Sequence, residues 1–294
     1  MASQAEIHEM ASSSDAAQRR EAADILGKRF GQLEDKEEAW NDLHKLTGDQ
    51  NRIVRGTAAD ALGATFPYVS DKEAAWMDLH RLTGDQNSYV RCEAASALRS
   101  VFPNVPGKEA AWMDLHRLTE DQDRYVRLKA ADALGSAFPN VPDKEAAWKD
   151  LIKLTGDQNS DVRWRAADAL GSAFPNVPDK KVAWKDLIKL TGDQNSDVRW
   201  RAADALGSAF PNVPDKKAAW MDLHRLTEDQ DSYVRRRAAD ALGSVFPNVP
   251  DKKAAWMDLH RLTEDQDSYV RRRTADALGS VFPNVPDKEA AWKD

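Results

Sequence analysis

The sequence contains very little cysteine, with Cys92 as the one thiol in 294 residues. An internal disulfide framework is therefore excluded, and so low a content is typical of a reducing compartment, which predicts a cytoplasmic protein. No run approaches the roughly 18 uncharged apolar residues of a membrane span, so we expect no membrane partner. The first residues also lack the basic and then apolar pattern of a secretory signal.

An excess of charge of one sign is absent as well. Charged residues make up 31% of the chain, yet the formal net charge is only -7, and 41% of the residues are hydrophobic. Disordered chains have fewer apolar residues and a larger charge imbalance, so these values predict a folded protein. Domains that bind nucleic acid are usually basic, which makes nucleic acid an unfavoured partner.

The aromatic residues recur at a fixed period. Eight of the ten tryptophans follow one another at a step of 36 residues, and so do all eight phenylalanines. A constant period of about 20–50 residues is the signature of stacked structural repeats. We therefore predict one continuous array over residues 1–294. It comprises a divergent N-terminal capping repeat (1–36), seven regular repeats (37–288) and the truncated start of a further repeat (289–294).

Residues 143–178 show what one repeat contains. Asp143 is a suitable N-cap for a first helix, and apolar residues follow at helical spacing until Gly156, which is expected to end it. Asn159 is the next N-cap, for a second helix from Ser160 to about Phe174. The prolines of the Phe-Pro-Asn-Val-Pro segment then break the chain. No segment alternates with period two, so no β-sheet is expected.

The second-helix motif carries a family resemblance. The segment Val162-Arg163-Trp164-Arg165-Ala166-Ala167-Asp168-Ala169-Leu170-Gly171 resembles the second helix of HEAT-like repeats, including the short type named from phycobilisome-lyase-like proteins. The first helix resembles repeats of archaeal proteins. The resemblance implies an all-α fold, a right-handed α/α solenoid of about eight repeats whose second helices line the concave side. Two neighbouring pairs of repeats are nearly identical, 145–180 with 181–216 and 217–252 with 253–288, which leaves recent duplication and assembly from a consensus both open.

Two polar side chains also recur once per repeat, at positions that could carry chemistry. A histidine recurs on the first helix and an arginine on the second. Stacked repeats place equivalent residues roughly 8–10 Å apart, too far to share a metal with bonds of about 2 Å, so we interpret the histidines as helix-edge residues. We interpret the arginines as holding the turn between helices rather than as an anion-binding row. The histidines are His44, His80, His116, His224 and His260, and the arginines are Arg55, Arg91, Arg127, Arg163, Arg199, Arg235 and Arg271.

No catalytic motif is recognisable. Cys92 has no specified His or Asp partner, and the chain contains no glycine-rich phosphate loop, Gly-x-Ser-x-Gly elbow or His-Glu-x-x-His motif. We therefore predict that the protein is not an enzyme and that it has no catalytic residue, no metal and no cofactor.

One strip of the second helix varies between repeats while the apolar positions hardly change. Its residues are rich in Trp, Tyr and Arg, the types that dominate binding hot spots. We predict a scaffold that binds a protein or peptide of unknown identity across this strip on the concave face. The alternatives are nucleic-acid binding through the arginine triplets, an engineered consensus array without a native ligand, and simple packing of Trp164 and Trp200. Self-association through the C-terminal end is also expected. The predicted contact residues are Tyr89, Tyr125, Asp161, Trp164, Arg165, Asp197, Trp200, Arg201, Tyr233, Arg236, Arg237, Tyr269, Arg272 and Arg273.

Overall fold

The computed structural model describes residues 2–285, and this range contains sixteen α-helices and no β-strand. The predicted helix-turn-helix repeat is confirmed there. Trp292 and the predicted repeat start at 289–294 lie outside the described residues. The chain divides into two compact units, residues 1–150 and 151–294.

The first unit holds four helix pairs. Within each pair a first helix contacts a second helix, and second helices of successive pairs contact one another. The helices are α1 (Gln4–Ala11), α2 (Ala16–Arg29), α3 (Lys36–Thr47), α4 (Arg52–Thr65), α5 (Lys72–Thr83), α6 (Ser88–Val101), α7 (Lys108–Thr119) and α8 (Arg124–Ala137).

The second unit repeats the arrangement, and α9 (Lys144–Leu154) crosses the division between the units. Successive second helices again contact one another. The remaining helices are α10 (Ser160–Ala173), α11 (Lys180–Leu190), α12 (Ser196–Ala209), α13 (Lys216–Leu226), α14 (Ser232–Val245), α15 (Lys252–Leu262) and α16 (Ser268–Val281).

The helix ends follow the local sequence, with one difference. Asn159 caps α10 as predicted, because its side chain accepts hydrogen bonds from the backbone N–H groups of Asp161 and Val162. The glycine after the first helix does not adopt the left-handed conformation of a glycine cap. Gly48 has φ -99°, and Glu120 has nearly the same φ of -102° in its own repeat. Any residue suits this position, which is why glutamate replaces glycine in several repeats.

The core is built from the periodic apolar residues. The phenylalanine at the end of the second helix is fully buried in seven repeats, and Phe174 serves as the C-cap of α10 before a 3-10 turn, Phe174–Asn176. Trp184 of α11 lies edge-on to Phe174, with ring centroids 6.2 Å apart and planes 79° apart. The aromatic period in the sequence is thus a repeated core contact.

Small residues set the spacing of the second helices. A Cβ added to Gly171 of α10 would lie 2.8 Å from the Cβ and 2.9 Å from the Cα of Ala205 in α12. Gly207 approaches Ala241 in the same way, at 3.0 Å. The helix backbones therefore pack directly on one another at these positions, near the close end of the roughly 8–10 Å range of helix separations.

We expect Gly171→Ala to lower the free energy of unfolding by about 1–2 kcal/mol. The methyl group must push α10 and α12 apart, and this overpacking outweighs the roughly 1 kcal/mol that alanine gains over glycine in a helix. Gly279→Ala is the matched control, since no described atom outside its own helix lies within 4 Å of the added carbon. Urea denaturation should show the control to be slightly stabilised, and equal effects of both changes would contradict direct backbone packing.

Candidate partner-binding surface

The predicted strip residues of the first unit are two tyrosines. Tyr125 has 54% of its surface exposed, and the guanidinium of Arg124 lies over its ring at 4.7 Å. Tyr89 is 38% exposed, since its ring lies over Gly56 of α4 so closely that an added Cβ would be 2.3 Å from its Cε1. Tyr89 is therefore partly a packing residue, whereas most of Tyr125 faces solvent.

The second unit brings tryptophan and arginine together. Trp164 of α10 and Trp200 of α12 are half-buried and meet edge to face, with ring centroids 6.2 Å apart. The Arg201 guanidinium lies 4.5 Å from the Trp164 ring and 4.4 Å from the Trp200 ring. Arg165 stacks on Trp164 at 4.4 Å, and Arg237 on Trp200 at 5.1 Å. We call these five residues, Trp164, Arg165, Trp200, Arg201 and Arg237, the Trp–Arg cluster.

Carboxylates hold these arginines in place. Asp168 lies 3.3 Å from Arg201, and Asp204 lies 3.6 Å from Arg201 and 3.9 Å from Arg237. Burial raises the pKa of Asp204, and the positive charges of Arg237 and Arg201 oppose this rise. Because each guanidinium is fixed by an aromatic ring and by a carboxylate, the cluster is ordered before any partner arrives.

The predicted contact residues include two aspartates, which lie in the N-terminal turns of α10 and α12. Asp161 and Asp197 are exposed, and the Asp197 carboxylate accepts a hydrogen bond from the Trp200 indole N–H at 3.0 Å. Asp197 therefore also orients a tryptophan of the Trp–Arg cluster.

A groove runs beside the Trp–Arg cluster, along the second helices of the second unit. It encloses about 640 Å³. It is lined by Gly171, Gly207 and Arg201 and by the aspartates Asp168, Asp204 and Asp240. The same glycines that let the helices approach therefore also leave room for a partner side chain.

The arginine row at the turns is structural, as interpreted from the sequence. Arg235 donates from Nε and Nη2 to both carboxylate oxygens of Asp265, at 2.6 and 2.8 Å, and from Nη1 to the backbone carbonyls of Asp229 and Gln230. The hydrogen bond from Arg235 lowers the pKa of Asp265, and burial opposes it. The same pattern joins five further pairs, namely Arg19–Asp49, Arg55–Asp85, Arg91–Asp121, Arg163–Asp193 and Arg199–Asp229.

The histidine row has partners that the sequence interpretation missed. Each paired imidazole Nδ1 lies within hydrogen-bond distance of a buried aspartate one repeat further along, for example His80–Asp114 at 2.6 Å and His224–Asp258 at 2.7 Å. The signal was available, because this aspartate recurs at the same 36-residue period two positions after the tryptophan. His8 occupies the same repeat position in the first repeat, and the hydrogen bond to Asp42 raises its pKa.

Isoleucine replaces this histidine at two positions, and the tryptophan then changes its partner. The Trp184 indole N–H donates to the buried Asp222 carboxylate at 2.9 Å where Ile188 stands in place of histidine. Where histidine is present, as in the Trp220–His224 pair, the rings contact each other with centroids 5.8 Å apart. The Trp220 indole N–H has no hydrogen-bond partner within residues 2–285.

We expect the substitution Ile188→His to break the hydrogen bond between the Trp184 indole N–H and the Asp222 carboxylate. The new imidazole reaches the aspartate as His224 reaches Asp258, so the indole loses a hydrogen bond to a charged acceptor. Solvent exchange of the Trp184 indole proton, followed by NMR, should then be faster by roughly tenfold. Val182→Ala is the control, because Val182 is 52% exposed. If the indole proton exchanges with solvent at the same rate in the histidine variant, Trp184 has kept its hydrogen bond to Asp222 and the prediction is wrong.

Cys92 lies in an environment that disfavours the reactive thiolate. Burial, helped by the nearby Glu93 charge, raises the pKa of its thiol to about 11. We expect iodoacetamide at pH 8 to alkylate Cys92 roughly 100-fold more slowly than cysteine in a short peptide, because the thiolate fraction falls with the rise in pKa. Mass spectrometry measures the rate, and unfolding in urea should restore it. A peptide-like rate in the folded protein would contradict this assignment.

Between residues 2 and 285, no three His, Cys, Asp or Glu side chains converge in a way that could hold a metal ion. No helix in that range is both long enough and apolar enough to cross a membrane.

The sequence was compared with a family model and with curated proteins, and the family model matches. The family model described as HEAT repeats matches residues 4–99, 42–134, 113–207 and 222–291. None of the curated proteins compared matches the chain.

Among solved structures, an engineered protein is 24% identical with a TM-score of 0.52, and the match covers 94% of this chain and 78% of that one. Kap95p, in the structure where it binds RanGDP, is 15% identical with a TM-score of 0.70; 96% of this chain matches 41% of that protein. The Escherichia coli protein YibA is 19% identical with a TM-score of 0.66, over 95% of this chain and 92% of that one. These likenesses confirm the predicted all-α solenoid fold class. Together with the family model, which matches most of the sequence, they show that the chain belongs to the HEAT repeat family.

Proposed function

We propose that this protein is a non-enzymatic scaffold that binds a protein or peptide partner across the Trp–Arg cluster of its second unit. The observation that carries the proposal is the Trp164–Trp200 pair, half-exposed on neighbouring helices. The equivalent residue is Gly56 in α4, Cys92 in α6 and Leu128 in α8. Since these helices pack on one another without an aromatic residue there, the fold does not require tryptophan at this position.

The chemistry of the cluster suits a protein partner. Tryptophan supplies a large contact area with only two rotatable bonds, and the flexible arginines are already held by Asp168 and Asp204. Binding therefore costs little additional side-chain order. The neighbouring groove of about 640 Å³ offers a recess for one anchoring side chain. Kap95p, which has a similar fold, binds RanGDP, and this supports a protein as the class of partner.

The test is a selection of peptides from a randomised display library on the folded protein. Enriched peptides are then synthesised and titrated by calorimetry against the wild type and the Trp164→Ala/Trp200→Ala variant. We expect the double variant to bind at least 100-fold more weakly, because removal of one hot-spot tryptophan costs about 2 kcal/mol or more.

Met221→Ala/Met257→Ala is the control, since these side chains are apolar and 51% and 61% exposed on first helices. Peptides that bind the tryptophan variant and the wild type equally would overturn the proposal. A library that yields no enriched peptide would also oppose it and would favour the alternative of a consensus array without a native ligand. The far-UV circular dichroism of both variants should match that of the wild type.

A further inference from the structure

The arginine triplets 235–237 and 271–273 do not form a continuous basic stripe. Arg235 points into the turn, where its N–H groups donate hydrogen bonds to the Asp265 carboxylate and to two backbone carbonyls. Arg237 lies between Asp204 and Asp240, at 3.9 and 3.7 Å. In the second triplet Arg271 donates to the carbonyls of Asp265 and Gln266, and Arg273 lies 3.8 Å from Asp240. In each triplet, only the middle arginine has neither a carboxylate nor a backbone carbonyl as its partner among the described residues.

Each middle arginine follows an exposed tyrosine by three residues on the same helix. The Arg236 guanidinium lies over the Tyr233 ring at 4.8 Å, and its Nε is buried without a hydrogen-bond partner among the described residues. Arg272 is exposed, and no ion pair joins it to a carboxylate in residues 2–285. Tyr233 and Tyr269 are 60% and 64% exposed. We call Tyr233, Arg236, Tyr269 and Arg272 the Tyr–Arg patch.

The patch has a defined repeat distance. Helices α14 and α16 contact each other, and packed helices lie about 8–10 Å apart, so the two arginines are separated by roughly that distance. A peptide in the polyproline II conformation has three residues per turn and rises about 3.1 Å per residue, so side chains three residues apart lie on one face at roughly 9 Å. Carboxylates at that spacing can meet both guanidinium groups at once, and a guanidinium matches a carboxylate in a paired, bidentate geometry.

Neighbouring charges favour discrete carboxylates over a phosphate backbone. Asp240 lies on α14, the helix of Arg236, and Asp204 lies on the adjoining α12, so a continuous polyanion laid along the strip would meet acidic as well as basic groups. The whole chain also has a net charge of -7. Steep, sequence-independent attraction to nucleic acid requires many free basic groups, whereas only the middle arginine of each triplet has no hydrogen-bond acceptor or carboxylate partner in residues 2–285.

We propose that the Tyr–Arg patch recognises an acidic peptide segment, with Asp or Glu at every third position, in the partner of this scaffold. This inference rests on the proposed protein-binding function and names the chemistry of the partner segment. Arg236 and Arg272 bind one carboxylate each, and the tyrosine rings support the guanidinium groups and cover the aliphatic part of the peptide.

The probe is a synthetic Gly/Ser peptide with Glu at every third position, titrated at low ionic strength and followed by NMR of the arginine Nε–H and backbone amide signals. We expect shifts confined to α14 and α16, and none with the same peptide carrying Gln for Glu. Arg236→Gln/Arg272→Gln should weaken binding by roughly tenfold, since each exposed ion pair contributes up to about a factor of five. Lys185→Gln/Lys217→Gln removes the same charge from exposed positions of first helices and should leave binding unchanged.

Three outcomes would overturn the inference. The first is an absence of shifts with the Glu peptide, and the second is equal weakening by the arginine and lysine variants, which would reveal attraction to net charge alone. The third is a single-stranded thymidine oligonucleotide that binds the patch more tightly than the peptide does. Trp164→Ala/Trp200→Ala should still bind the Glu peptide. Library peptides that need the tryptophans, found together with a silent Glu peptide, would refute this inference and leave the proposed function intact.

Discussion

Replacing Arg235 with alanine is expected to lower the free energy of unfolding by about 3 kcal/mol at pH 7. The side chains of Arg235 and Asp265 are only 17% and 7% exposed, so the change leaves a carboxylate that is buried and uncompensated. It also removes the donor from the carbonyls of Asp229 and Gln230, and the loss of the part-buried contact to Asp229 adds to the cost. Urea denaturation followed by circular dichroism measures the difference.

The near-identical next repeat provides the matched control. Residues 217–252 and 253–288 differ only at Ala238/Thr274, so Arg271 occupies the same sequence context as Arg235. Arg271 is exposed and donates to two carbonyls, and the described residues supply no carboxylate to its Nε. Arg271→Ala should therefore cost about 1 kcal/mol or less. Equal effects of the two changes would show that the ion pair contributes nothing beyond the carbonyl contacts.

The effect of Arg235→Ala also has a defined pH dependence. The hydrogen bond from Arg235 lowers the pKa of Asp265 below its usual value, so the pair stabilises the folded state above that usual value of 3.8. As the pH falls through the folded-state pKa, the carboxylate is protonated in both states and the contribution disappears. The difference in stability between wild type and variant should therefore shrink in acid. A difference that stays constant between pH 7 and pH 3 would contradict the assignment.

Much of the fold could be predicted from the sequence because the repeats carry the same local signals for helix ends and turns. The N-cap at Asn159 and the break at the Phe-Pro-Asn turn act within a few residues, and the structure has both. The turn-holding role of the arginines could also be anticipated, since the arginine and the turn belong to one repeat. The prediction of a glycine cap at Gly156 is wrong in one respect, because no described glycine has the positive φ of a left-handed cap.

Contacts between repeats were harder to foresee. His80 and Asp114 are 34 residues apart, and only the stacking of two repeats places them side by side. The Trp–Arg cluster is similar, since Arg201 lies against the Trp164 ring of the preceding repeat. The sequence could show that the strip varies. It could not show which arginines have a carboxylate partner, because that depends on the offset between neighbouring helices. That offset is set by close packing such as Gly171 on Ala205.

Replacing Phe174 with alanine is expected to cause the largest loss of stability, about 4 kcal/mol. Phe174 is fully buried, and it ends α10 and begins the 3-10 turn that leads to the next repeat. Its ring lies edge-on to Trp184, so truncation removes transfer free energy, opens a cavity and deprives Trp184 of an aromatic partner. The neighbouring backbone cannot collapse into the space, because Ala173 and Leu170 are themselves completely buried.

A double-mutant cycle with Trp184→Ala separates these contributions. We expect a coupling of about 1 kcal/mol between the two rings, because edge-to-face pairs contribute beyond the area they bury. Trp184 also lies 6.5 Å from Phe210, so it keeps one aromatic partner when Phe174 is lost, and this limits the coupling. Val182→Ala should change stability by less than about 0.5 kcal/mol, as expected for an exposed position. Additive effects of Phe174→Ala and Trp184→Ala would mean that the aromatic period serves to fill volume and that the relative orientation of the rings contributes nothing.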